Sequence, residues 1–160
     1  MTERRELKTE LRTEPKTEPG TLDKTQEETP IDSSQYRQLF MERDALARHL
    51  GISLDEVGPG FARASLRVTP PLLNGKGVTH GGAIFTLADI VFAAASNIHG
   101  PTALGLNVNI SYMKATFEGQ TLTAVAREHK KTRKVGFYRM EVLDEEEDLV
   151  AVAEGIVYRK

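Results

Sequence analysis

Between His80 and His99, apolar residues recur at helical spacing for four turns: Ala83, Ile84, Leu87, Ala88, Val91, Phe92 and Ala95. A helix this apolar must be covered over most of its surface, and that requirement constrains the fold more than any other feature of the chain. The residues after it can supply the cover. Leu104, Leu106, Val108, Ile110 and Tyr112 alternate with Gly105, Asn107, Asn109 and Ser111, and Thr121–Glu128, Val135–Leu143 and Leu149–Tyr158 are three more strand-like runs. A basic turn, Lys130–Lys134, and an acidic turn, Asp144–Asp148, join the last three runs, and the short spacings predict antiparallel hairpins. The pattern predicts an α+β fold: one long central helix wrapped by a curved antiparallel sheet.

Upstream, Asp32 or Ser33 is placed to cap a helix running to about Leu50, with Gly51 as its stop. Tyr36, Leu39, Phe40, Leu46, Ala47 and Leu50 give that helix an apolar side. Gly58-Pro59-Gly60 marks a turn between two extended segments, the second with Ala62, Ala64, Leu66 and Val68 facing one way. A loop rich in Pro and Gly, Thr69–Thr79, leads into the central helix; Gly100 and Pro101 end it, with His99 where a cation suits the C-terminus. Residues 1–30 are different in kind. They hold 14 charged residues, 7 threonines and only four large apolar side chains, with Pro15 and Pro19 interrupting any helix. Such a segment cannot offset its chain entropy, so a disordered low-complexity tail is expected over 1–30 and a single domain over 31–160.

The chain has 21 basic and 23 acidic residues; the tail holds 6 and 8 of them, which leaves 15 of each in residues 31–160. A neutral domain lacks the electrostatic footprint of a nucleic-acid binder. No run approaches the ~18 apolar residues of a membrane span, and the N-terminus has no signal-peptide core. The absence of cysteine removes disulfides, thiolate metal sites and a cysteine nucleophile together, and fits a reducing, cytoplasmic setting. There is no HExxH or paired-histidine spacing for a metal, and Gly75-Lys76-Gly77 lacks the spacing of a phosphate loop.

Chemistry must then come from the start of the central helix. Gly81 and Gly82 occupy its first turn although glycine costs about 1 kcal/mol there relative to alanine. Bare backbone at a helix N-terminus lets a carbonyl reach free N–H groups, as an oxyanion hole requires; a hinge, or tight packing against a strand, is the structural alternative. Asp89 lies roughly 120–140° from the centre of the buried face, on a stripe with Gly82, Ala93 and Ser96, and is either a placed carboxylate or a solvated flank residue. His80 can orient the loop or bind a ligand.

Asn74, then His80-Gly81-Gly82, Phe85-Thr86-Leu87-Ala88-Asp89, Phe92-Ala93, Ala95 and Asn97 together resemble the hotdog-fold thioesterases of the phenylacetate-degradation (PaaI-like) group. The resemblance spans roughly Gln35–Tyr158. It implies hydrolysis of acyl-CoA thioesters without metal or cofactor, in dimers whose sheets join edge to edge, often paired into tetramers. It further implies that Gly81 N–H polarises the thioester carbonyl, that Asp89 is base or nucleophile, that Asn74 positions water or thioester, and that His80 supports the carbonyl loop. A small polar residue on the strand after the helix is also expected, with Asn107, Asn109 and Ser111 as candidates. Gly82, Phe85, Phe92 and Tyr112 stand near enough in the pattern to border an aromatic-tolerant acyl site, and phenylacetyl or other aryl groups are the expected substrates. Lys130, Lys131, Arg133 and Lys134 are candidate cations for the CoA phosphates, against the plainer reading of a solvated hairpin.

Gly81 and Asp89 are eight residues apart, about 12 Å along one helix. One thioester cannot touch both on the same helix, so helices packed antiparallel about a two-fold axis should share each site between two chains. Two rival functions are a hotdog-fold hydratase or dehydratase, to which the HGG…LAD spacing is less suited, and a non-catalytic acyl-CoA sensor. Such sensors usually carry a DNA-binding domain, and the acidic tail is no helix-turn-helix.

Overall fold

The structure, a computed structural model, describes residues 32–98 and 100–160. The tail expected over 1–30, and the place given to His99, lie outside the described residues. Asp44 divides the expected first helix into α1 (Ser33–Arg43) and α2 (Ala45–Leu50). Its backbone is extended, φ −88° and ψ 96°, and its carboxylate accepts the Ala47 N–H at 2.9 Å. An aspartate makes a better cap than a mid-helix residue, so the chain turns there rather than running through. Asp32 caps α1 by accepting from Ser34 N, and Gly51, at φ 76°, ends α2.

Six antiparallel strands follow the order β1-β2-β4-β5-β6-β3: β1 (Ser53–Gly58), β2 (Phe61–Arg67), β3 (Ala103–Tyr112), β4 (Thr121–Lys131), β5 (Val135–Leu143) and β6 (Leu149–Arg159). The hairpins β1–β2, β4–β5 and β5–β6 stand where the spacing puts them. β3 does not join that meander. β2 takes the place beside β4, so β3 pairs with β6 instead, Tyr112 opposite Ala151 and Ala103 opposite Arg159, and forms the far edge of the sheet. Bulges at Leu54/Glu56, Gly105/Asn107 and Glu128/Lys130 add local twist and help the sheet curve.

Inside the curve lies α3 (Gly81–Asn97), about 25 Å long. Leu87, Val91 and Ala95 are fully buried against Ala62, Ala64, Ala124 and Ala126 of the sheet, whose short side chains admit the helix closely. Gly155 serves the same purpose for Phe92: a Cβ there would stand 2.8 Å from the Phe92 ring. One stripe of α3 escapes full burial, namely Phe85, Asp89, Ala93 and Asn97, each one turn from the next. The sheet, together with α2, covers the rest of the helix and leaves this side half-open.

Candidate active site

The chain enters α3 through a tight turn. Leu73 and Thr79 form an isolated bridge, Asn74 N donates to Val78 O at 2.8 Å, and Gly77 takes φ 75°. Asn74 Oδ1 accepts the Lys76 N–H at 2.8 Å, which fixes the side chain, and its amide Nδ2 has no acceptor among the described residues. His80 follows in an extended conformation as the N-cap, its own N–H bound to Leu72 O at 2.7 Å.

The His80 ring is part of the cap. Nδ1 accepts the Gly82 N–H at 2.8 Å, so the neutral ring carries its proton on Nε2. The His80 carbonyl accepts from Ala83 N and Ile84 N. Three N–H groups of the first turn are thereby satisfied. That of Gly81 has no acceptor among the described residues, and it stands at the positive end of a 17-residue helix. A Cβ on Gly81 would meet the Tyr112 ring at 3.3 Å, and the Tyr112 hydroxyl donates to Gly81 O at 3.0 Å. Tyr112 therefore braces the glycine turn from β3, a contact across 31 residues that no local pattern announces.

Asp89 lies two turns further on, half-buried on the open stripe. Burial raises its pKa first, and the nearby charge of Asp44 raises it further. A carboxylate so placed holds its proton more readily than an ordinary aspartate, which suits a group that must take and return one.

The other sequence candidates are spread around this centre. Phe85 sits one turn before Asp89 on the same stripe, and Gly82 is exposed beside His80. Phe92 is 2 % exposed and packs edge-on against Tyr138, so its ring belongs to the core and not to a pocket wall. Asn107 and Asn109 pair with Ile156 and Glu154, exposed residues on the sheet face turned away from α3, and Ser111 shares that face. Lys130 and Arg133 are exposed at the β4–β5 turn. Arg133 lines a cleft of about 430 Å³ with Pro101, Lys134, Tyr158, Arg159 and Lys160. Arg159 there is mostly buried, with Nε unpartnered. Tyr158, Arg159 and Lys160 line this cleft too, and their signal in the sequence is limited to a cationic C-terminus on an otherwise alternating strand.

The acidic turn offers a cluster of oxygens, Asp144, Glu146 and Asp148. Lys114 already fills it, its Nζ 2.6 Å from Asp144 and 2.7 Å from Asp148, and this ammonium holds the Asp144 carboxyl below the usual range. Among the described residues no helix is long and apolar enough to cross a membrane.

Comparison with known proteins gives a consistent picture. Residues 76–151 match the Thioesterase superfamily. A candidate esterase of Archaeoglobus fulgidus is 43% identical over 123 residues, 77% of this chain and 80% of that protein. Acyl-coenzyme A thioesterase PaaI of Escherichia coli is 36% identical over 125 residues, 78% of this chain and 89% of the relative. The solved structure of the E. coli PaaI protein, from a phenylacetic acid degradation operon, superposes with a TM-score of 0.77, covering 79% of this chain and 92% of the other.

Proposed function

This chain belongs to the thioesterase superfamily as a PaaI-like, hotdog-fold acyl-CoA thioesterase, and from that premise we propose how its residues divide the work. The enzyme hydrolyses an acyl-CoA thioester to a free acid and CoA. The thioester carbonyl lies against Gly81 N–H, and the developing oxyanion is held there by that donor and the helix terminus. Asp89 takes a proton from water, the hydroxide adds to the carbonyl carbon, and collapse of the tetrahedral intermediate breaks the C–S bond. The proton on Asp89 passes to the departing CoA thiolate. The Asn74 amide orients the water or the thioester, and His80, by binding Gly82 N–H, keeps the glycine turn in shape.

One observation carries the reading: the first turn of α3 satisfies its neighbouring N–H groups internally and leaves that of Gly81 unused. An unpaired N–H at the first position is common to helix starts, and here the glycine pair leaves it bare of side chains, so that a carbonyl can reach it.

Each site takes Gly81 from one chain and Asp89 from another. The ~12 Å rise between them on one helix supports this, because no single carbonyl spans it. So does the edge strand β3, ten residues long, with Leu104 62 % and Leu106 64 % exposed. An unpaired apolar edge of that length is a liability unless a second strand covers it. Pairing two β3 edges about a two-fold axis brings the open stripes of two α3 helices together, and dimers of that kind can assemble further into tetramers. The CoA phosphates are assigned to the rim cations, with Arg133 and Lys130 joined by Lys134, Arg159 and Lys160, and Asn107 and Asn109 flank the outer face of the same sheet. An aryl acyl group is the favoured substrate, and the cysteine-free chain suits work in the cytoplasm.

Thiol release from a panel of acyl-CoA esters tests the proposal. Wild-type protein should turn over steadily and Asp89→Asn should not. Equal rates in the two would remove Asp89 from the chemistry.

A further inference from the structure

Neither Gly81 nor Gly82 has a side chain to hold it, and glycine has more backbone freedom than any other residue. The peptide unit between them is nevertheless held at both ends. His80 Nδ1 accepts its N–H at 2.8 Å, and the Tyr112 hydroxyl donates to its carbonyl, Gly81 O, at 3.0 Å. We infer that Tyr112 is a positioning residue for the reaction, its hydroxyl fixing the glycine peptide so that the adjacent Gly81 N–H stays aimed at the thioester carbonyl. The inference rests on Gly81 N–H being the oxyanion donor proposed above.

Tyr112 is well anchored for that task. It ends β3, paired with the buried Ala151 of β6. Directly after it, the N–H groups of Met113 and Lys114 both reach Val150 O, at 2.8 and 3.3 Å. A little further on, Thr116 O accepts the Thr79 N–H at 2.8 Å, and the Thr116 hydroxyl donates to that of Thr79 at 2.7 Å. Residues 112–116 therefore grip residues 79–81 at both ends of the entry into α3.

The two ends of this grip differ in kind. Thr79 and Thr116 are buried, so their pairing satisfies groups that water cannot reach and belongs to the fold. Tyr112 is 50 % exposed, and water could satisfy its hydroxyl as well as Gly81 O does, so the bond adds little stability. What the bond restricts is geometry. With the peptide after Gly81 held at both ends, the freedom of the peptide before it, which carries the Gly81 N–H, is cut down as well. The ring adds a wall: a Cβ on Gly81 would stand 3.3 Å from Tyr112 Cζ and 3.5 Å from Cε1, so the aromatic group fills the space beside the glycine Cα. A donor that drifts from its aim loses an interaction made chiefly in the transition state, and the loss falls on kcat.

Tyr112→Phe isolates the hydroxyl, because the ring and its wall remain. Steady-state thiol release is measured on the full chain with the acyl-CoA ester that wild-type protein hydrolyses fastest. The variant should show kcat reduced about three- to tenfold, the range of one ordinary hydrogen bond, with KM within about twofold of wild type. Its melting temperature should move by no more than about 2 °C. A double-mutant cycle separates positioning from support of the fold. In Gly81→Pro the donor is absent, so adding Tyr112→Phe should lower the residual kcat by less than about 1.5-fold. An equal loss in both backgrounds would make Tyr112 a structural residue and overturn the inference. A wild-type kcat in Tyr112→Phe, beside a Gly81→Pro variant that falls well below Gly81→Ala, would overturn it and leave the donor assignment standing. Parity of Gly81→Pro with Gly81→Ala would overturn the donor assignment and the inference together.

Discussion

Asp89 sits where α3 is neither covered by the sheet nor fully open to water, and that position gives it a raised pKa. The sign of the effect on stability follows. A carboxyl whose folded pKa exceeds its unfolded value binds its proton more tightly when folded, so it costs stability as pH rises through the folded pKa. Asp89→Asn removes that cost. It should lose about 10²–10⁴ in turnover, the range of a missing general base, while its melting temperature at pH 7 stays level or rises. A marked fall in melting temperature would point to a structural role. The acidic limb of the wild-type kcat/KM profile should lie above the ordinary aspartate range, and Asp44→Asn should move it to lower pH, because a charge that raises the Asp89 pKa is gone. Gly81 offers a cleaner comparison. His80 has the extended backbone that a following proline requires, and the first helical position tolerates proline well. Gly81→Ala and Gly81→Pro both meet Tyr112, but only proline lacks the N–H. Proline should therefore fall about 10²–10³ below alanine in kcat, and parity between them would exclude this donor.

The elements hold the site through a few polar anchors. Asp44 starts α2 as its cap, so Asp44→Ala should destabilise by about 0.5–2 kcal/mol while Asp44→Asn should not, as thermal melts can show. Lys114, on the segment after β3, neutralises Asp144 in the acidic turn. With its pKa held low, Asp144 contributes stability above the ordinary carboxylate range and loses it as pH falls through the folded value. Lys114→Met should accordingly lower the melting temperature at pH 7, with the deficit narrowing toward pH 3; a deficit independent of pH would assign Lys114 a packing role. Much at this scale was legible in the sequence. Period-two alternation located β2 through β6, and the four-turn apolar stripe located α3, because both patterns report burial directly. Two features were not. The break at Asp44 had a local signal, an aspartate three residues before Ala47, but the apolar residues on both sides read as one helix. The position of β3 had none, since hairpin spacing cannot reveal that β2 would claim the place beside β4. The same limit hid the brace of Tyr112 on Gly81 and the hydrogen bond from the Tyr36 hydroxyl to Ala94 O: both join residues far apart in the chain.

For the molecule as a whole, the proposed site draws its parts from two chains. The sheet and α2 cover α3 except along one stripe, the outer edge of β3 is unpaired among the described residues, and Gly81 and Asp89 are separated along the helix by ~12 Å. A second copy related by a two-fold axis would resolve each of these. We propose on these grounds that catalysis is shared between chains, and complementation decides it. Asp89→Asn and Gly81→Pro, each inactive alone, are mixed under conditions of subunit exchange, and heterodimers are verified by differential tags. A heterodimer contains one site with an intact Gly81 from one chain and an intact Asp89 from the other. Half of a random mixture is heterodimer and one of its two sites works, so about a quarter of wild-type activity should return. Verified heterodimers that recover nothing would contradict the shared site.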